Sequence, residues 1–170
     1  MLDLSKFNID FNIMKETPYF QAYEKHRIRF DLDDLNIYEL RDLLGTIFNN
    51  AKQINLIFVS EYITNNRRHS AKARVGKYIS IRNWKENIIL DKSTQEGAVY
   101  ANVTNIKFDE VIKYCINVRK GCTQAYLAFY NSDFLVYVST DVIDIIGTDS
   151  TKIDKLKSDY STVYNTFYDK

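Results

Sequence analysis

A basic stretch in the middle of the chain carries the residues best suited to binding chemistry. From residue 67 to residue 85, Lys and Arg recur with one His, and no Asp or Glu appears before Glu86. Such side chains neutralise phosphates or acidic protein surfaces, and aromatic rings among them can stack on bases. The stretch therefore predicts an acidic protein partner or nucleic acid, with an exposed solvated loop as the structural alternative. The candidate binding residues here are Arg67, Arg68, Lys72, Arg74, Tyr78 and Trp84.

Carboxylates gather at a second place, where Asp141, Asp144 and Asp149 surround an apolar run near the end of the chain. Several carboxylates together can hold a hard cation or act as general acids. Single carboxylates more often cap helices and form turns. We favour capping and turn formation over a metal or acid–base site. The acidic turn is also an alternative candidate surface for a protein partner.

Motifs of known catalytic machinery are missing from the sequence. It contains no phosphate-binding glycine loop, no dinucleotide fingerprint, no nucleophile elbow and no paired-histidine zinc motif. Cys115 and Cys122 lie seven residues apart without the spacing of a zinc or redox site, and His26 and His69 are the only histidines. We therefore predict no catalytic residue, no metal and no cofactor, and an enzyme ranks last among the function classes.

Composition describes an ordinary globular chain with a balanced charge. Hydrophobic residues make up 45% and charged residues 26%, and 23 basic against 22 acidic side chains leave a net charge of +1. A dedicated nucleic-acid binder usually has a clear basic excess. The chain shows no apolar run long enough for a membrane span and no basic, apolar start typical of a secretory signal, so we expect a cytoplasmic protein. With no Pro/Gly/Ser-rich linker, residues 1–170 are expected to form one domain.

Three segments have the apolar periodicity of helices. The first follows Asn36, with Glu39 completing a capping box. A second starts near Asn105 and stops at Gly121, which places Cys115 in the core. The third begins at Asp149 or Ser150 and is predicted to run through residue 167.

Between these helices lie runs typical of strands, including one over 26–32 that alternates apolar and charged residues. Residues 131–133 predict a hairpin turn. The middle of the chain predicts a loop around 65–76 and a strand near 78–81. Together these patterns predict the α+β class, with a mixed or antiparallel sheet and about three main helices packed on it. The other predicted strands are 54–63, 98–103, 125–130, 134–139 and 142–146.

Two segments give a family resemblance. Pro18-Tyr19-Phe20 leading into Ile28-Arg29-Phe30-Asp31-Leu32 resembles the opening of an uncharacterised bacterial domain family. Asp141-Val142-Ile143-Asp144-Ile145-Ile146-Gly147-Thr148-Asp149 resembles its later strand-to-helix turn. The family usually has a Tyr-Asp-Asp-Arg-Gly turn before its last strand, where this chain reads Tyr137-Val138-Ser139-Thr140-Asp141. The resemblance implies the same order of elements, and no activity can be carried over with it.

These observations leave two function classes ahead of an enzyme. The first is a non-catalytic protein-binding module, most concretely an immunity or antagonist protein that neutralises a bacterial toxin or defence factor in a stoichiometric complex. Small size, one domain and many aromatic residues suited to interfaces favour it. The alternative is a nucleic-acid-binding protein that uses the basic stretch, whose affinity would fall steeply with salt.

Overall fold

Eight strands form one antiparallel sheet in the computed structural model, which describes residues 4–122 and 125–169. The α+β class is confirmed, with four α helices, one of them only four residues long. The remaining residues of the predicted domain, 1–3, 123–124 and 170, lie outside the described part. The helices are α1 (Pro18–Gln21), α2 (Ile37–Phe48), α3 (Phe108–Arg119) and α4 (Ser150–Asp159). The strands are β1 (Arg27–Asp31), β2 (Asn55–Thr64), β3 (Arg67–Ser70), β4 (Lys85–Leu90), β5 (Gly97–Val103), β6 (Leu127–Tyr130), β7 (Phe134–Val138) and β8 (Val142–Gly147).

The sheet runs in the order β1-β8-β7-β6-β2-β5-β4. Strand β3 pairs with the outer half of β2, beyond the part of β2 that pairs with β6. The predicted hairpin between β6 and β7 is confirmed. Its turn is held by Asn131, whose Oδ1 accepts hydrogen bonds from the backbone N–H groups of Asp133 and Phe134 at 2.9 and 2.8 Å.

One face of the sheet, which we call the helix face, carries α2, α3 and α4 over the main core. The predicted capping box at Asn36 and Glu39 is confirmed, and the apolar stripe of α2 is buried. Helix α3 begins at Phe108, later than predicted, because Asn105 has a left-handed backbone (φ 59°) that no helix accommodates. Cys115 is buried as expected.

Helix α4 ends at Asp159, so the prediction that it continues to residue 167 is wrong. The chain turns at Tyr160, whose hydroxyl donates a 2.6 Å hydrogen bond to Asp42. The following tail then reaches the outer edge of β1, where the N–H of Asn165 donates to the carbonyl of Arg29 at 2.8 Å. A helix through residue 167 could not make that edge contact.

The opposite face, the N-terminal face, is covered by residues 4–22. Phe11 packs against the rings of Tyr100, Tyr126 and Tyr137, with centroid separations of 4.7 to 6.4 Å. Tyr100, Tyr126, Tyr130 and Tyr137 all pack in this second core, where each ring brings apolar area together with a hydroxyl.

The middle of the chain differs most from the sequence expectation. Asn65 and Asn66 both have positive φ (51° and 59°), as a two-residue hairpin turn requires, so residues 67–70 form β3 instead of a loop. The strand predicted near residues 78–81 is wrong. Val75 and Ile79 pack into the helix-face core, and residues 78–81 are not paired with the sheet. The strand of this region is β4, which the sequence analysis did not predict.

Candidate partner-binding surface

The basic surface, defined as residues 67–85, consists of β3 and the segment that leads from it to β4. All four residues of β3 are exposed. Arg68 lies opposite Ile63 and Arg67 opposite Thr64 on β2, so the two arginines point to opposite faces of the sheet. The hairpin thus presents positive charge on both of its faces.

The segment after β3 is held in place by apolar residues that alternate with exposed cations. Ala73, Val75 and Ile79 are buried in the helix-face core, whereas Lys72 and Arg74, on either side of Ala73, are exposed. Both cations have left-handed backbones, with φ of 52° and 53°. A non-glycine residue in this conformation costs about 1 kcal/mol, so the surrounding contacts must fix it. The cations are therefore presented from an ordered path of backbone.

Polar contacts hold the rest of the same segment. The N–H of Ser80 donates to Glu110 Oε1 at 2.8 Å, at the start of α3. Asn83 exchanges two hydrogen bonds with the backbone of Thr104, at 2.7 and 3.0 Å. Tyr78 is half-buried, with its ring 6.2 Å from that of Tyr114, so it supports the segment and offers little free ring surface.

Arg68 differs from the other cations because carboxylates balance its charge. Its Nη1 lies 3.2 Å from both Glu61 and Glu86. Glu86 also accepts a 3.3 Å hydrogen bond from Trp84 Nε1, and the Trp84 ring packs edge-on against Phe58 at 5.6 Å while staying 44% exposed. These two glutamate partners could not be predicted from the basic stretch, since Glu61 precedes it and Glu86 follows it.

The remaining cations of the basic surface have no carboxylate partner. Within the described part of the chain, none of them takes part in an ion pair. The surface therefore combines unneutralised positive charge with one exposed indole. These unpaired cations are Arg67, Lys72, Arg74, Lys77, Arg82 and Lys85.

The acidic candidates do not form one site. Asp144 is 0% exposed and receives two hydrogen bonds from Arg29, at 2.6 and 2.9 Å. This burial excludes Asp144 from a partner-binding surface, so that part of the prediction is corrected. Burial raises the pKa of Asp144, and the hydrogen bonds and charge of Arg29 oppose the rise. Its role is to balance a buried arginine.

Asp149 and Asp141 remain near the surface. Asp149 is the N-cap of α4, where it accepts hydrogen bonds from the backbone N–H and the hydroxyl of Thr151 at 2.9 and 2.8 Å. Those bonds lower its pKa. The capping interpretation of Asp149 is thereby confirmed. Asp141 is exposed, and its carbonyl accepts a hydrogen bond from the N–H of Leu32 at 2.8 Å.

Arg29 is a residue that the sequence analysis did not single out, although it is only 9% exposed and lies against the rings of the N-terminal segment. The guanidinium stacks on the ring of Tyr19 at 4.2 Å and lies 5.1 Å from that of Phe20. Strands β1 and β8 pair so that Arg29 lies directly opposite Asp144. The segments that carry the family resemblance are therefore brought together around one buried ion pair.

Two depressions of about 760 and 780 Å³ open on the described surface, and the second reaches Lys85 of the basic surface. The first is lined by four lysines, but Lys6 donates to the carbonyl of Asn131 and Lys152 pairs with Asp133. Neither depression is lined by His or Cys.

Comparison with known proteins adds no relative. No family model matches the chain, and no curated protein or solved structure matches it. The resemblance to the bacterial domain family therefore stays a prediction. Over residues 4–122 and 125–169, no group of three His, Cys, Asp or Glu side chains is placed to hold a metal ion. None of the described helices is both long enough and apolar enough to cross a membrane.

Proposed function

We propose that this chain is a non-catalytic, cytoplasmic protein-binding module that neutralises an acidic partner, a toxin or defence factor, by forming a stoichiometric complex through the basic surface. One observation carries the proposal. The unpaired cations belong to a backbone segment that buried apolar residues hold in place. The sequence has no acidic residue between Tyr62 and Lys85.

The ordered backbone of the basic surface favours a role in partner binding over that of a merely solvated loop. A flexible basic loop would lose conformational entropy on binding, about 0.5–1.5 kcal/mol for each immobilised long side chain and more for the backbone. Here Val75 and Ile79 already fix the backbone. Positive charge held on a fixed frame also steers an acidic partner toward the correct orientation.

Several features favour a protein over nucleic acid as the partner. Glu61 and Glu86 balance the charge of Arg68 at the border of the basic surface, which interrupts the continuous positive path that a phosphate backbone follows. Tyr78 is half-buried, which leaves Trp84 as the exposed aromatic ring of the basic surface. A nucleic-acid groove usually offers several stacking rings along a continuous basic path.

The test is affinity purification of the tagged protein from its native cell, with and without nuclease, read by mass spectrometry. The variant Lys72→Gln/Arg74→Gln/Lys77→Gln removes three charges from the basic surface. The control Lys113→Gln/Lys120→Gln/Lys155→Gln removes three exposed charges elsewhere. At about 0.2–1 kcal/mol for each exposed ion pair, the first variant should bind the partner roughly three- to a hundred-fold more weakly. The control should match the parent protein.

A carbodiimide cross-linker, which joins lysines to carboxylates in direct contact, then locates the interface. Cross-links from Lys72 or Lys77 to acidic residues of one stoichiometric protein support the proposal. It fails if no protein survives washing, or if both triple variants retain that protein equally. Recovery that collapses with nuclease would favour the nucleic-acid alternative, whose affinity would also fall steeply with salt.

A further inference from the structure

Strand β4 ends the sheet with an open edge, and the other end of the sheet is covered. At that other end, the backbone of Asn165 bonds to Arg29 and its side chain to Asp31, both at 2.8 Å. No described backbone hydrogen bond reaches β4 from any element except β5. Unpaired N–H and C=O groups on an exposed edge are a ready template for another strand.

The side chains of β4 add apolar area at this open edge. Ile88 is 46% exposed and Leu90 is 40% exposed. Ile88 lies opposite Val99 on β5, and Leu90 lies opposite Gly97. Natural edge strands are commonly protected by charge or proline, and the second half of β4 has neither.

We propose that a second copy of this chain pairs with β4, antiparallel, about a two-fold axis that passes through Ile88. The two sheets then continue into one another. This inference concerns β4, which shares only Lys85 with the basic surface on which the proposed function rests.

The register follows from the geometry of antiparallel pairing. Two residues directly opposite each other must both direct their N–H and C=O groups toward the partner or both away from it. A strand can therefore pair with its own copy about a residue, never about the midpoint between two residues. With the axis at Ile88, Lys85 lies opposite Asp91 of the second copy and Asn87 lies opposite Ile89, each contact occurring twice. The two Ile88 side chains then pack on each other.

Charge supports this axis over its neighbours. An axis at Asn87 would place both Lys85 and Glu86 against isoleucines and form no ion pair, whereas the axis at Ile88 pairs Lys85 with Asp91 and leaves only Glu86 against an apolar residue, Leu90. An axis at Ile89 would extend the pairing into the turn after Asp91. Hydrogen bonds from Ser93 and Thr94 lower the pKa of Asp91 to about 2, so the carboxylate opposite Lys85 is ionised at neutral pH. The arrangement also closes, because the two-fold axis pairs the β4 edge of each copy with that of the other and leaves neither β4 edge free for a third copy.

The first measurement is the mass in solution by light scattering and sedimentation over a concentration series. We expect a species of twice the 20.0 kDa chain mass. Ile88→Lys places two like charges at the axis and should give a monomer whose circular dichroism spectrum matches that of the parent protein. Met14→Lys is the matched control, since Met14 has the same 46% exposure on the N-terminal segment, and it should remain dimeric.

A cross-linking experiment tests the register. Ile88→Cys, made together with Cys122→Ser to remove the exposed native thiol, should form a disulfide-linked dimer under mild oxidation. Asn87→Cys in the same background should cross-link poorly. A monomer at every concentration would overturn the proposal. So would a dimer indifferent to Ile88→Lys, or one that cross-links through residue 87 and not through residue 88.

Discussion

Replacing Asp144 should destabilise the fold strongly, although the sequence alone makes it a candidate for surface chemistry. Asp144 is fully buried and holds both Nε and Nη2 of Arg29 in a bidentate pair. Asp144→Ala would leave the guanidinium enclosed by Tyr19, Phe20 and Tyr168 with no counter-charge. An orphaned buried charge is far more costly than the loss of an exposed ion pair.

The magnitude follows from the burial of the pair. Breaking a buried ion pair by removing one partner costs about 3–5 kcal/mol. For a chain of this length, that loss corresponds to a melting temperature lower by about 6–20 °C. Urea denaturation followed by circular dichroism measures the free energy of unfolding directly. Arg29→Met combined with Asp144→Leu should recover most of the loss, because apolar residues of similar volume can replace a buried pair.

Asp141→Ala is the matched control, since Asp141 is exposed at the start of the same strand, and it should change stability by less than about 0.5 kcal/mol. A cost below about 1 kcal/mol for Asp144→Ala would refute the reasoning. So would a double variant no more stable than Asp144→Ala alone. Either result would mean that Arg29 finds water or another acceptor when its carboxylate is removed.

Three further predictions follow from burial and close packing. Burial raises the pKa of Tyr100 and of Tyr137 to about 12, above the 10.0 of an unfolded tyrosine, so their stabilising effect is complete below pH 10 and is lost as the pH rises toward 12. The absorbance change of these buried tyrosines should therefore accompany the loss of the circular dichroism signal in one cooperative alkaline transition, and ionisation of every tyrosine with an intact spectrum would contradict this. Gly97→Ala should cost about 1–3 kcal/mol in urea denaturation, because a β-carbon there would overlap a backbone carbonyl of β4, and an unchanged midpoint would count against that contact. Cys122 should react with a thiol reagent in the native protein, whereas Cys115 should not, because burial raises the pKa of Cys115 to about 12. Two reactive thiols before unfolding would disprove the burial of Cys115.

The elements that could be predicted from the sequence are those whose causes are local. Helix α2 has its capping box and apolar stripe within a dozen residues, and the β6–β7 hairpin has its turn at Asn131. The strand predicted near residues 78–81 failed because its apolar residues pack against α3, which lies later in the chain. Strand β4 was not predicted because an exposed edge strand needs no alternation of apolar and polar residues.

The candidate site residues likewise divide into those with a local sequence signal and those without one. The lack of acid in the basic surface is visible in the sequence, and so is the capping tendency of Asp149. The partnership of Arg29 and Asp144 joins residues 115 positions apart, so no local pattern reveals it. One indication was present: Arg29 occupies a strand that alternates with Ile28 and Phe30, and a charged residue on a face that the fold later covers needs a partner.

The basic surface and the β4 edge meet at Lys85, and this proximity has a consequence for partner binding. A dimer through β4 would place two basic surfaces in one assembly, so an acidic partner with two copies of its epitope could bind both. The second contact would then form at a high effective concentration, without any new interaction. Ile88→Lys should in that case weaken binding of a dimeric partner while leaving binding of a monomeric partner unchanged. Titration calorimetry of each variant against the captured partner separates these cases, and equal affinities for a dimeric partner would show that the two basic surfaces act singly.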